Sequence, residues 1–257
     1  MYILIDIHSH ILPGIDDGPP DFVRSLAMAK QAANAGITHL FATPHHMNGR
    51  YENLKGNIMK YVQDFNAQLE QENIPLLVHP GQELRVNREL FISLEMEEVM
   101  TLDNKGQYLL LELPSGEVPN YTQEVVYELL LKGITPIIVH PERNKGFLED
   151  NNLLVDLVLE GALTQVTAGS IIGHFGKKVK TFAERIIEHH LTHFIATDAH
   201  NITTRGFQLI GAYEAITKGF GIDHTFYFQE NAELLLLGQY PQKEQPIPIR
   251  KKFLGIF

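Results

Sequence analysis

Seven short runs of β-type residues, at 3–8, 38–43, 76–82, 108–112, 135–140, 163–167 and 192–198, alternate with longer stretches of helical period. This alternation constrains the chain most, because consecutive parallel strands need a crossover and a helix is the usual one. It predicts an α/β fold, and periodicity alone leaves both a closed barrel and an open doubly wound sheet available. The clearest helix is marked by Leu54, Ile58, Tyr61, Val62, Phe65 and Leu69, which recur as one apolar stripe. Gly36, Gly133, Gly161 and Gly238 are expected to end other helices in left-handed conformations.

The placement of polar residues favours the barrel. Candidate ligands stand at or just after the C-terminal end of six of these seven runs, and a closed barrel gathers those ends into one mouth. The 257 residues carry no Pro/Gly/Ser-rich linker or charge block that would divide them, so a single domain is expected: a barrel over 1–240 and a basic, apolar tail over 241–257.

The first run ends in Asp6-Ile7-His8-Ser9-His10, where alternate residues on an extended segment point the same way and both imidazoles can reach one ion. Alone, this pair is as compatible with two hydrogen-bonded histidines as with a metal site. The second run leads into Thr43-Pro44-His45-His46, the third into Gly81-Gln82-Glu83 and the fourth into Glu112. The fifth leads into His140-Pro141-Glu142-Arg143, and the seventh into Asp198-Ala199-His200, followed by Asn201 and Arg205. Singly, each could be a turn residue or a satisfied core polar group. Together with Asp17, which follows the first run in Asp16-Asp17-Gly18, five of these histidines (His8, His10, His45, His140 and His200) and the carboxylates Glu83, Glu112 and Asp198 in a half-buried mouth would carry a high desolvation cost, and bound metal is the simplest compensation. The chain has no cysteine, so the ligands are nitrogen and oxygen, which suits Mn²⁺, Fe²⁺, Co²⁺ or Zn²⁺ and excludes both a disulfide framework and a cysteine nucleophile.

A formal charge of −10 argues against a general nucleic-acid binder but not against an anionic substrate. The N-terminal residues lack the pattern of a signal peptide and no apolar stretch approaches a membrane span, so a cytoplasmic location is expected.

The motifs IDIHSHILPGIDDGP, ATPHH, GQE, HPERN, TAGSIIGHFGK, TDAHN with Arg205, and ENAELLL resemble the polymerase-and-histidinol-phosphatase (PHP) superfamily. Within it they resemble the manganese-dependent protein-tyrosine phosphatases of bacterial capsule and exopolysaccharide operons, from about Ile3 to Leu237. The resemblance implies a distorted seven-stranded (β/α)7 PHP barrel with three divalent metals, manganese first among them. Carried over by position, it implies that His8, His10, Glu83 and Asp198 hold one metal, and that Glu83, Glu112 and His140 hold a second. Asp17, His45 and His200 then hold the third, and Arg143 and Arg205 contact the substrate phosphate.

The implied activity is hydrolysis of phosphotyrosine by metal-bound hydroxide, on a phosphorylated tyrosine kinase that regulates capsular or exopolysaccharide synthesis. A small-molecule phosphatase acting on histidinol phosphate would use the same groups, and a metal-dependent amidohydrolase or nuclease would share the first motif. A noncatalytic kinase-binding module is the rival of a different class. His39, His79, His174, His189, His190 and His193 lie away from strand ends and are expected not to be ligands, while His46 stays open between pocket lining and substrate contact. Thr167 to Gly173 reads either as a phosphate-cradling turn or as a plain tight turn. The end of the tail, with Arg250, Lys251 and Lys252, reads either as a peripheral contact with an anionic membrane or a membrane-bound kinase, or as a disordered or barrel-docked terminus.

Overall fold

The structure, a computed structural model, describes residues 3–249. Nine parallel strand segments occur among them: β1 (Leu4–Ser9), β2 (Ile37–Ala42), β3 (His45–His46), β4 (Leu77–Pro80), β5 (Glu83–Arg85), β6 (Tyr108–Glu112), β7 (Thr135–Val139), β8 (Leu163–Thr167) and β9 (Phe194–Ala196). The helices are α1 (Phe22–Asn34), α2 (Lys55–Gln71), α3 (Leu90–Glu95), α4 (Thr122–Leu131), α5 (Lys145–Glu149), α6 (Asn152–Glu160), α7 (Ala168–Ile171), α8 (Lys177–Glu188), α9 (Leu209–Phe220) and α10 (Ile222–Leu236).

Nine segments stand where seven runs were expected, because two runs are broken. Pro44, which has no N–H to give a ladder, separates β2 from β3, and the Thr43 amide turns instead to the Ser9 carbonyl at 2.8 Å. Gly81 and Gln82 separate β4 from β5. A β-carbon on Gly81 would lie 2.8 Å from a Leu102 methyl and 2.9 Å from the Thr43 methyl, so the absence of a side chain at Gly81 lets these two breaks pack together without displacing either methyl. The strands consequently fall into two sheets, ordered β1-β2-β4 and β3-β5-β6-β7-β8-β9. The first and last strands meet beyond their ends, where His10 N donates to Ala199 O at 2.8 Å and Asp198 N to His8 O at 2.9 Å. The result is a single α/β domain of irregular barrel form.

The strands read as nearly continuous apolar runs because both faces are covered. On β6, Tyr108 and Leu110 turn to an inner cluster with Ile5, Ile7, Phe41 and Phe194, while Leu109 and Leu111 join the outer layer under the helices. In α2, Ile58, Val62, Phe65 and Leu69 form the buried stripe. Leu54 and Tyr61, expected to belong to it, are each 40% exposed, Leu54 as the N-cap and Tyr61 at the stripe's edge. All four glycines expected at helix ends have positive φ.

After α10 the chain runs back along the barrel. Gln242 N donates to the Asn231 side chain at 2.7 Å, Ile247 N donates to His189 O at 2.9 Å, and Ile249 is buried. The expected membrane or kinase contact of Arg250, Lys251 and Lys252 lies outside the described residues. Among the described residues no helix is long and apolar enough to cross a membrane.

Candidate metal centre

The end of β1 sets the centre. His8 and His10 alternate across Ser9, so both imidazoles emerge on one side with their Nε2 atoms 3.3 Å apart. Each ring is held from behind: His8 Nδ1 donates to Gln165 Oε1 at 2.9 Å, and His10 Nδ1 to Asp16 Oδ2 at 2.7 Å. A carbonyl or carboxylate on Nδ1 keeps the proton there and leaves the Nε2 lone pair facing inward, the arrangement of a metal-ligating imidazole. Asp16 is itself fixed because its Oδ1 accepts the Gly18 amide at 2.9 Å.

Strand register brings in the next ligands. His45 pairs with Glu83 across β3 and β5, and Arg85 pairs with Glu112 across β5 and β6. Glu83 lies fully buried at the middle. Its Oε2 is 2.9 Å from His45 Nδ1, 3.2 Å from His10 Nε2 and 3.4 Å from His8 Nε2, and its Oε1 lies 2.8 Å from His140 Nε2. Glu112 Oε2 is 3.6 Å from His45 Nδ1 and is held by Arg85 Nε at 3.1 Å. Asp198 Oδ1 faces His10 and His8 at 3.4 and 3.6 Å, while its Oδ2 accepts from Arg205 at 2.7 Å and from Arg143. Asp17 Oδ1 completes the group, 3.2 Å from His200 Nε2 and 3.5 Å from His45 Nε2.

All nine expected ligands and both arginines thus meet in one site. Three sets have candidate ligand atoms within 4.8 Å of one another: His10, Asp17, His45 and His200; His8, His10 and Asp198; and His45, Glu83 and Glu112. Two of the residues, His140 and Asp198, hold left-handed backbone with φ of 40° and 53°, an uncommon conformation for residues with a β-carbon and one often stored at functional sites.

The electrostatics reflect crowding of ionisable groups. Burial opposes the charge on Glu83, yet His45 and His8 hold its carboxyl well below the usual range, and Arg143 and His8 do the same for Asp198. Burial and then the Glu83 charge push Glu112 up to about 7. Burial and then Arg143 push His140 down to about 4.

Glu83 Oε2, His45 Nδ1 and His200 Nε2 are buried and make no hydrogen bond, although each lies close to another ligand atom. Lone pairs so near one another without hydrogen-bond geometry are directed at shared space, which is how donors around a cation are arranged. The nitrogen and oxygen donor set, without thiolate, fits borderline divalent ions. Beside it opens a cavity of about 240 Å³ lined by Asp17, His45, Glu112, Arg143, Phe147 and Arg205.

His46 turns away from this cavity, since neighbouring residues on a strand face opposite sides, and its Nδ1 accepts the Asn53 amide at 3.1 Å. His39 and His79 bond each other at 2.9 Å elsewhere, and His193 is buried against Thr164. The segment from Thr167 is the start of α7, and its groups are engaged by the buried Glu142 carboxylate, which accepts from Thr167 N at 3.0 Å and Ser170 Oγ at 2.6 Å. The Glu142 carboxylate thus occupies two of the donors of this segment, the Thr167 amide and the Ser170 hydroxyl.

Sequence reading passed over the supporting groups Asp16, Gln165, Arg85 and Glu142. Asp16, in IDIHSHILPGIDDGP, and Glu142, in HPERN, stood inside motifs already singled out, whereas Arg85 and Gln165 had no such signal. The 163–167 run, which showed no ligand, supplies Gln165 behind His8.

The sequence matches the family described as Capsular polysaccharide synthesis, CpsB/CapC, over residues 4–237. It is 43% identical to the tyrosine-protein phosphatase YwqE of Bacillus subtilis, over 99% of this chain and 100% of that protein. It is 28% identical to the tyrosine-protein phosphatase CpsB of Streptococcus agalactiae, over 92% of this chain and 100% of that one. A crystal structure from work on YwqE of Bacillus subtilis and CpsB of Streptococcus pneumoniae, described as unique metal-dependent tyrosine phosphatases, superposes with a TM-score of 0.93 at 42% identity, covering 96% of this chain and 100% of that chain.

Proposed function

The chain belongs to the CpsB/CapC family of capsular polysaccharide synthesis, and from that membership we propose how its buried centre works as that of a metal-dependent tyrosine-protein phosphatase. The observation that carries the reading is the meeting of nine nitrogen and oxygen donor residues in one buried cluster, six of which line a small cavity together with two guanidinium groups. His8, His10, Glu83 and Asp198 would hold one divalent ion, Glu83, Glu112 and His140 a second, and Asp17, His45 and His200 a third, manganese being the ion we favour over iron, cobalt or zinc. Bound there, such ions supply acidified water and positive charge for the phosphoryl oxygens.

The chain's own residues do the rest. Arg143 and Arg205 present two planar donors to the equatorial oxygens of a phosphate monoester, a match in geometry as well as charge. Asp198 Oδ2 restrains both arginines on one side, so they reach the cavity pre-aligned. Val139 and Phe147 back the cavity but are themselves buried, so what a phosphate ester meets there is chiefly polar. In the hydrolysis the phosphorus–phenolate bond breaks, water oxygen ends on phosphorus, and a water proton goes to the departing phenolate. With a pKa near 10 in the free side chain, that phenolate leaves more readily than an alkoxide. No cysteine is present to carry a phosphoryl intermediate.

The family description supports a substrate in capsule assembly, and we infer a phosphorylated bacterial tyrosine kinase. The test is phosphate release from a phosphotyrosine peptide and from histidinol phosphate, by protein stripped with chelator and resupplied with Mn²⁺. Metal-restored activity that favours the peptide is expected. Preference for histidinol phosphate, or equal rates with and without metal, would refute the reading.

A further inference from the structure

A second groove lies next to the catalytic cavity, between α5 and α8. Leu148, Asn151, Lys177, Lys178, Thr181 and Arg185 line it. The two sites are neighbours through α5, since Phe147 lines the cavity and Leu148 the groove. They are joined a second time through the loop before α8, where Phe175 stacks under the Arg143 guanidinium at 5.0 Å.

The groove's charge runs against that of the protein. In a chain of net charge −10, Lys177, Lys178 and Arg185 are exposed, and among the described residues none of the three forms an ion pair. Lys180, on the same helix, does pair, with Glu184 at 3.8 Å. Lys178, Thr181 and Arg185 recur at i, i+3 and i+7, so they share one helix face. Lys177 and Lys178 also stand in the first turn of α8, which has no acidic residue, so their charge adds to the positive end of the helix instead of offsetting it. Like charges held together cost stability, and an anion in the groove relieves that cost.

We propose that this groove is a substrate-docking subsite that binds an anionic side chain of the phosphotyrosine peptide, a carboxylate or a second phosphate flanking the tyrosine being hydrolysed. This rests on the tyrosine-phosphatase reading and adds a specificity to it: sequence around the target tyrosine is selected by charge. The cationic face spans about 10 Å from Lys178 to Arg185 along the helix, the reach of roughly three extended residues.

The test compares the wild-type holoenzyme with the combined Lys177→Gln, Lys178→Gln, Arg185→Gln variant, both loaded with Mn²⁺. Four substrates are used: p-nitrophenyl phosphate, a phosphotyrosine peptide with neutral flanks, the same peptide with glutamates placed roughly three to six residues away on either side, and a doubly phosphorylated peptide. For the wild type, KM on the anionic peptides is expected to be about 10-fold below that on the neutral peptide, and the gap should close at high salt. The variant should lose that advantage with kcat and the p-nitrophenyl phosphate rate unchanged. Preference for the glutamate peptide identifies a carboxylate as the docked group, and preference for the doubly phosphorylated peptide alone identifies phosphate. Wild-type enzyme that hydrolyses all three peptides with equal KM, or a variant that keeps the preference, overturns the subsite and leaves the phosphatase standing. Wild-type enzyme inactive on every phosphotyrosine substrate overturns the phosphatase reading itself.

Discussion

Gly18→Ala isolates one contact behind the metal centre. Gly18 has ordinary negative-side backbone, so alanine meets no dihedral penalty there and the whole effect is steric. A β-carbon would lie 2.3 Å from the His10 carbonyl oxygen and 2.9 Å from Asp16 Oδ1, where ordinary contact begins at 3.4 Å. The Asp16-Asp17-Gly18 turn must therefore retreat from His10 by about 1 Å. Asp16 then loses its 2.7 Å bond to His10 Nδ1, and Asp17 moves off His200, now 3.2 Å away. Loss of a supporting carboxylate typically lowers metal affinity about 10- to 100-fold, and a 1 Å misplacement near the chemistry costs about 100-fold in rate. We expect kcat/KM on an aryl phosphate at limiting Mn²⁺ to fall about 100-fold, equivalent to about 2.7 kcal/mol, with part of the loss recovered at saturating metal. Gly56→Ala serves as the control, because nothing lies within 4 Å of a β-carbon there. Rates across a Mn²⁺ titration, metal content after desalting and a thermal melt make up the assay. A Gly18→Ala protein that binds Mn²⁺ and turns over like the wild type would refute the argument that this turn positions His10.

Further expectations concern separate parts of the molecule. Gly56, in the first turns of α2, should gain up to about 1 kcal/mol on replacement by alanine, read as a higher urea midpoint. Arg205→Lys keeps the charge but removes the planar fork, and kcat/KM should drop at least about 10-fold; unchanged kinetics would remove Arg205 from the proposed phosphate contact. Glu142→Ala strands the Thr167 amide and the Ser170 hydroxyl in a buried place, so unfolding free energy should fall by about 3 kcal/mol in denaturant titration. Burial holds His193 at about 3, below its unfolded value of 6.5, so between those values the unfolded chain binds more protons and stability declines as pH falls. The decline should reach about 2 kcal/mol by pH 5 and should be absent above pH 6.5. In His193→Gln the stability–pH slope over that window should be correspondingly flatter, and an equal slope would refute the assignment.

Much of the architecture was legible because it is written locally. Apolar runs buried on both faces, a helical stripe at 58, 62, 65 and 69, and glycines at helix ends depend on residues close in sequence, so periodicity reveals them. The strand breaks were not legible as breaks. Pro44 and Gly81 are visible in the sequence, but their joint effect depends on Thr43, Leu102 and Ser9 meeting from separate segments.

The candidate site divides in the same way. The residue types at strand ends, and the absence of cysteine, announced a nitrogen and oxygen centre before any contact was known. Spacing could not tell adjacent twins apart. His45 and His46 differ by one residue, and the pairing of His45 with Glu83 sends one inward and the other to Asn53. Asp16 and Asp17 are the same side chain in neighbouring positions, yet one backs His10 and the other faces His200 and His45. The chain's local pattern determined which chemical groups reach the barrel mouth. Tertiary structure decided which atom of each faces the centre and which side chains stand behind it, because those choices depend on contacts such as Gln165 to His8 and Asp198 to Arg143, between residues far apart in sequence.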